Sequence, residues 1–163
     1  MSGIGVRITI DGNAPILDAL VRLALNAGDK STLMEEIGVN LVENARLRFS
    51  EQKDPNGNTW KPSIRARAQG GETLRDTGRL LASITHLVSG DVVEYGTNVV
   101  YGPWLHFGAT IKATGSKGLR FKVPGFGWVR KKQVVLPPRP FIGLDSEDET
   151  LVLTIIENFL RPV

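Results

Sequence analysis

The side chains able to carry acid–base or covalent chemistry are few and scattered. The chain has two histidines, His86 and His106, and no cysteine. Neither histidine has a second His or a Cys at ligand spacing, which argues against a zinc centre. The lack of cysteine removes disulfides, thiolate ligands and cysteine nucleophiles together. His106, set between Leu105 and Phe107, reads as a structural ring with a satisfied nitrogen. Ser83 lies close to His86, but nothing marks it as an activated nucleophile of a serine-type triad. Gly115-Ser116-Lys117-Gly118 lacks the full glycine–lysine pattern of a phosphate loop. The carboxylates form no paired arrangement. Catalysis needs a positioned set of groups, and the expectation is a protein without catalytic residues, cofactor or metal.

What the sequence concentrates instead is charge and aromatic surface. No acidic residue occurs between Glu94 and Asp145, while eight basic ones do: Lys112, Lys117, Arg120, Lys122, Arg130, Lys131, Lys132 and Arg139. The same stretch interleaves aromatics with Gly and Pro, in Tyr101-Gly102-Pro103-Trp104-Leu105-His106-Phe107-Gly108 and in Pro137-Pro138-Arg139-Pro140-Phe141. Trp60, Trp104 and Trp128 read either as core or as partly exposed anchors of an interface, where Trp and Tyr are enriched. The expected interaction surface draws on Trp60, Tyr101, Trp104, His106, Phe107, Arg139 and Phe141. Its charged parts are Lys117 and Arg130-Lys131-Lys132 on one side, and Asp145 and Glu147 on the other. The basic run reads as a solvated hairpin end, or as an electrostatic contact with nucleic acid or an acidic protein face. No helix carries the basic spacing of a recognition helix, so sequence-specific DNA reading is not expected.

The bulk properties frame these residues. At 163 residues the chain, read as residues 1–163, suits a single domain with a sizeable core. Hydrophobic content of 41% and charged content of 23% fit a folded globular domain rather than a disordered chain. A net charge of +3 shows that the basic bias is local. No apolar run approaches the roughly 20 residues that span a bilayer. The segment Met1–Arg7 lacks a signal-peptide design. The expectation is a soluble chain made in a cytoplasm, with no membrane partner.

The elements that must position the surface follow from periodicity. Alternation of Ile4, Val6, Ile8 and Ile10 predicts a strand with one buried face. A first helix is expected from about Ala14 to Ala27. Ser31 or Thr32 starts a second, with Thr32 and Glu35 at capping-box spacing. Met34, Ile37, Gly38, Leu41, Val42, Ala45 and Phe49 give it one apolar stripe, with Arg46 and Arg48 on the remainder. Gly38 is read as close packing against another backbone. Pro55-Asn56-Gly57-Asn58 predicts a turn, opening a long loop through residues 53–72, with a second loop at 112–119; both are read as mobile. The run Thr73–Leu81 suggests a turn leading into a short helical piece, followed by a hairpin of Ser83–Val88 and Val92–Thr97. Short strands are expected at Ala109–Ala113, Leu119–Val123, Gly127–Arg130 and Gln133–Leu136. Ser146 and Glu149 have capping-box spacing ahead of an amphipathic C-terminal helix. Together these predict an α+β domain: a curved mixed or antiparallel sheet packed by a long amphipathic helix, plus a C-terminal helix.

The order of motifs carries a resemblance. Phe49, then Pro55–Pro62, then Leu74-Arg75-Asp76-Thr77-Gly78-Arg79-Leu80-Leu81-Ala82-Ser83-Ile84, then Glu94–Gly102, then His106-Phe107-Gly108, and finally Leu136-Pro137-Pro138-Arg139-Pro140-Phe141-Ile142-Gly143-Leu144 together resemble the phage virion morphogenesis family. The similarity spans about residues 30–160. It implies a tail completion protein of Mu-like and related phages, part of the virion neck, working as a homo-oligomeric ring. Six copies would match a six-fold tail tube. The implied partners are the protein itself, the tail tube protein and the head–tail connector, with DNA passing without sequence specificity. Alternatives are a head-completion ring below the portal and a protein contacting the end of the packaged genome. For a ring, the acidic segment Asp145–Glu149 of one copy is expected to meet the basic segment Lys112–Lys132 of the next.

Overall fold

Helix α1 (Lys30–Glu51) carries the fold. The computed structural model describes residues 4–9 and 30–160; the helix expected at 14–27 lies outside them. Leu33, Met34, Ile37, Leu41, Val42, Ala45 and Phe49 recur at three and four residues and are all buried, so they form one stripe that a sheet or helix must cover. The helix is already under way at Lys30, which places Thr32 and Glu35 inside it rather than at a capping box. Arg48 is a second correction. Three residues after Ala45 and seven after Leu41, it stands on the apolar stripe and is 5% exposed, not on the solvent face.

The helix stops through its own side chains. Gln52 holds a left-handed φ of 60°, and the N–H of Lys53 donates to the Arg48 carbonyl at 3.2 Å, the six-to-one bond of a Schellman ending. A non-glycine residue accepts this backbone because its amide is tied down. Its Nε2 donates to the Thr73 carbonyl at 3.2 Å and its Oε1 accepts the Thr73 N–H at 2.6 Å.

Three strands lie against α1. Strands β1 (Ile4–Thr9), β2 (Ile84–Ser89) and β3 (Val92–Thr97) pair antiparallel in the order β1-β3-β2. The register sets both Val6 and His86 opposite Tyr95. Alternation along β3 buries Val93, Tyr95 and Thr97, as a period of two requires for a sheet with one covered face. Close approach of the helix explains Gly38. A Cβ there would sit 2.3 Å from Cδ2 of His86. The neighbour is therefore an imidazole ring, not the backbone that the sequence suggested.

The remaining strands form two further antiparallel pairs: β4 (Ala109–Lys112) with β7 (Gln133–Leu136), and β5 (Leu119–Val123) with β6 (Gly127–Lys131). All pairings among the described residues are thus antiparallel, divided among three small sheets. Short helices α2 (Ile64–Gln69), α3 (Arg79–Ala82) and α4 (Gly102–Phe107) sit between them. The long loop expected after Lys53 therefore holds a helix of its own, capped by Ser63 Oγ accepting the Ala66 N–H at 3.1 Å. Its opening turn is an Asx turn: Asp54 Oδ1 accepts from the N–H groups of Asn56 and Asn58 at 2.9 and 2.8 Å.

Helix α5 (Ser146–Leu160) closes the core with Ile155 and Ile156 buried. Its cap is one residue earlier than the Ser146–Glu149 spacing implied. Asp145 Oδ1 accepts the N–H groups of Glu147 and Asp148 at 2.9 and 2.8 Å, and Asp148 Oδ2 accepts the Asp145 N–H at 3.2 Å. That reciprocal pair is a capping box built from two aspartates.

Candidate interaction surfaces and the hub that positions them

Four of the residues expected at an interface lie in the interior. Trp60, His106, Arg139 and Phe141 are all less than a tenth exposed. Three of them form an aromatic cluster with Phe49. Its ring meets Trp60 at 5.4 Å and Phe141 at 5.6 Å, both edge-on, and His106 meets Phe141 at 5.3 Å. Edge-to-face rings contribute about 0.5–1.5 kcal/mol beyond their buried area. Polar handles complete the packing. Trp60 Nε1 donates to the Pro140 carbonyl at 2.8 Å, Arg139 Nε donates to the Lys61 carbonyl at 2.8 Å, and the Phe141 N–H donates to His106 Nδ1 at 3.3 Å. The prolines leave residues 137–141 with few backbone donors, and the Trp60 indole takes up the Pro140 carbonyl from a distant segment. The aromatic motifs are therefore the knot that joins residues 49, 60, 106 and 141.

A second knot is ionic. Arg48 Nη2 reaches Asp145 Oδ2 at 2.8 Å and also pairs with Asp148 Oδ2, while Nη1 donates to the Gly143 carbonyl at 2.9 Å. Asp148 is 1% exposed, and its other oxygen accepts from Asn44 Nδ2 at 2.7 Å. The Tyr95 hydroxyl donates to the Gly143 carbonyl at 2.6 Å and accepts the Gly143 N–H at 3.2 Å. Burial raises the Asp145 pKa, but backbone N–H groups and the Arg48 guanidinium outweigh it and hold the carboxyl below its ordinary value. Arg48, Asn44 and Asp148 were not singled out as site residues. The readable signal was Arg48 itself, a cation on an apolar stripe, which requires a buried acid elsewhere in the chain.

Asp145 and Asp148 are thus engaged within the chain. This alters the expected acidic–basic contact between copies: of the acidic segment, Glu147 and Glu149 are the exposed carboxylates that remain.

Two surfaces stand outside the knots. On α4, Trp104 and Phe107 are 51% and 69% exposed, one turn apart on the same face. Tyr101, at the start of that helix, is half-buried against the core. The helix is pinned from behind, because the Arg139 N–H donates to the carbonyls of Leu105 and His106 at 2.9 and 3.1 Å. Gly108 makes that approach possible. Its φ is 77°, and a Cβ would lie 2.8 Å from the Leu136 carbonyl oxygen.

The other surface is the β5–β6 hairpin. Arg120 faces Arg130 in register and Lys122 faces Trp128, all four exposed. The Arg120 guanidinium stacks 4.4 Å from the Trp128 ring centroid. Lys117, Lys131 and Lys132 are exposed beside it. Among the described residues none of these cations forms an ion pair. No described cluster of His, Cys, Asp and Glu is arranged to hold a metal, and no described helix is long and apolar enough to cross a membrane.

A protein described as Mu-like prophage FluMu G protein 2, from Haemophilus influenzae, is 28% identical over 156 residues, which is 96% of each chain. No solved structure is significantly similar. A family model matches residues 11–161, taking in both knots, α4 and the basic hairpin, and by that match the chain belongs to the phage virion morphogenesis family and serves the assembly of a phage particle.

Proposed function

We propose that the protein completes or terminates the tail and joins it to the head at the neck, as a homo-oligomeric ring that acts by binding rather than catalysis. Family membership supports an assembly role, and the observation that carries the docking role is the exposed Trp104–Phe107 pair. A helix held to the core through Arg139 presents two large aromatic side chains to solvent, the kind of rigid anchor that dominates protein interfaces. Partners consistent with this reading are further copies of the chain, the tail tube protein and the head–tail connector. The test is light scattering of the purified protein over a concentration range, with and without purified tails that lack it. A ring-sized species, or saturable binding to tails, supports the reading. The double variant Trp104→Ser/Phe107→Ser should fold and fail to bind. Binding to filled heads but not to tails would move the protein to the head side of the joint.

A second reading rests on the hairpin. Interface cores between proteins are depleted in lysine, whereas a lysine-rich face without ion pairs suits a polyanion. This favours a contact between the hairpin and DNA passing the neck, through the backbone and without sequence preference.

A further inference from the structure

Arg139 is 5% exposed, yet no carboxylate of the described chain lies within ion-pair distance of it. Only its Nε is spoken for, by the Lys61 carbonyl. The contrast with Arg48 is direct: that buried guanidinium meets two aspartates and a carbonyl. Interior charges are normally paired, because an isolated one loses hydration without compensation. Burial is also the sole cause lowering the Arg139 pKa, with no counter-charge acting against it.

The side chain lines a cleft of about 400 Å³ between α3, α4 and the segment after α2. No buried side-chain nitrogen in the described chain is without a partner, so the terminal nitrogens of Arg139, which make no hydrogen bond, face accessible space. Leu74, Leu80, Leu105 and Leu136 supply apolar walls, and Arg65 and Arg79 add positive charge at the rim. Asp76 is the one carboxylate in the lining, and it lies 3.5 Å from Arg65. Leu74 holds a φ of 65°, a costly conformation for a bulky residue that keeps its side chain against the core.

We propose that this cleft is a binding site for a carboxylate carried next to an apolar side chain, as on an acidic residue or chain end of a partner protein segment. The guanidinium fork accepts a carboxylate through two parallel N–H bonds, and the leucine walls take the neighbouring aliphatic group. The lining includes neither Trp104, Phe107 nor any residue of the hairpin, and the site does not depend on the assembly reading, since one copy of the chain contains all of it.

The experiment uses N-acetyl-leucine as probe, with N-acetyl-leucinamide and inorganic phosphate as comparison ligands, followed by NMR of leucine methyl groups and of the Arg139 Nε–H. Saturable shifts at Leu74, Leu80 and Leu136 with the acid, at least about tenfold weaker with the amide, support the site. Equal binding of acid and amide, or no saturable shift below about 50 mM, on the scale of fragment affinities, overturns it. Saturation by phosphate alone overturns the assignment to a carboxylate on an apolar group. Arg139→Leu tests the cation directly. Because that change also removes the bond to Lys61, Arg79→Glu serves as the second variant: it lies at the exposed rim and should weaken the acid several-fold while leaving the amide unchanged.

Discussion

The main-chain N–H of Phe141 donates to Nδ1 of His106 across 3.3 Å, so the buried ring must be neutral, with its proton on Nε2. Burial pushes the imidazole below its ordinary value of 6.5. The unfolded chain then takes up the proton first on acidification. The His106 contribution is complete above pH 6.5 and is lost as pH falls through the lowered folded-state value. Melting temperature should drop by roughly 3 °C per kcal/mol lost between about pH 7.5 and 5.5. His106→Gln should flatten that dependence. An identical slope in the variant would show that another group governs it.

The Arg48–Asp148 pair gives a larger effect. Asp148→Ala leaves a buried guanidinium with one carboxylate instead of two, and should destabilise by about 3–5 kcal/mol. The double change Arg48→Met/Asp148→Ala removes both charges and should cost clearly less than Arg48→Met and Asp148→Ala together. Urea unfolding of the four proteins checks this; additive costs would mean that the residues do not act as a pair.

Gly38→Ala sets two effects against each other. Alanine favours the helix by about 1 kcal/mol, but its Cβ falls on the His86 ring at 2.3 Å. The ring must leave, breaking the bond between His86 Nε2 and Glu35 Oε1 at 2.8 Å. Overpacking costs about 1–3 kcal/mol, so the net change should be destabilising. Adding His86→Ser should relieve it. A stabilised single variant would show that the ring moves at no cost.

The hairpin predicts salt-dependent binding to duplex DNA of any sequence. Fluorescence anisotropy over a salt series should give a slope reduced by about 0.9 for each phosphate contact removed. The change Arg120→Glu/Lys122→Glu/Arg130→Glu should nearly abolish binding, whereas Arg79→Glu should not. If the hairpin variant binds DNA as before but no longer associates with tails, the face serves a protein instead.

Much of the scaffold was legible because it rests on local rules. The stripe on α1, the β2–β3 hairpin with Gly90 in its two-residue turn, and the short strands between residues 109 and 136 all follow from periodicity and turn chemistry. What was not legible depends on contacts distant in sequence. Composition alone gave no way to tell that Trp60 and Phe141 would close on Phe49 while Trp104 and Phe107 faced outward, since Gly/Pro-rich aromatic segments suit either outcome. Asp145 was read as interface because its pairing with Arg48 spans 97 residues. Asp145 also displaced Ser146 as the cap, since its carboxylate both caps the helix and answers the buried cation.

That double duty joins two distant parts of the chain at one buried point. Helix α1 presents a guanidinium in the middle of its apolar stripe, and the acids that neutralise it arrive about a hundred residues later. A nascent chain released before Asp148 would hold a bare cation where its core should form. The ionic knot therefore ties the early part of the core to its late part: the burial of α1 is completed electrostatically only when α5 packs beside it.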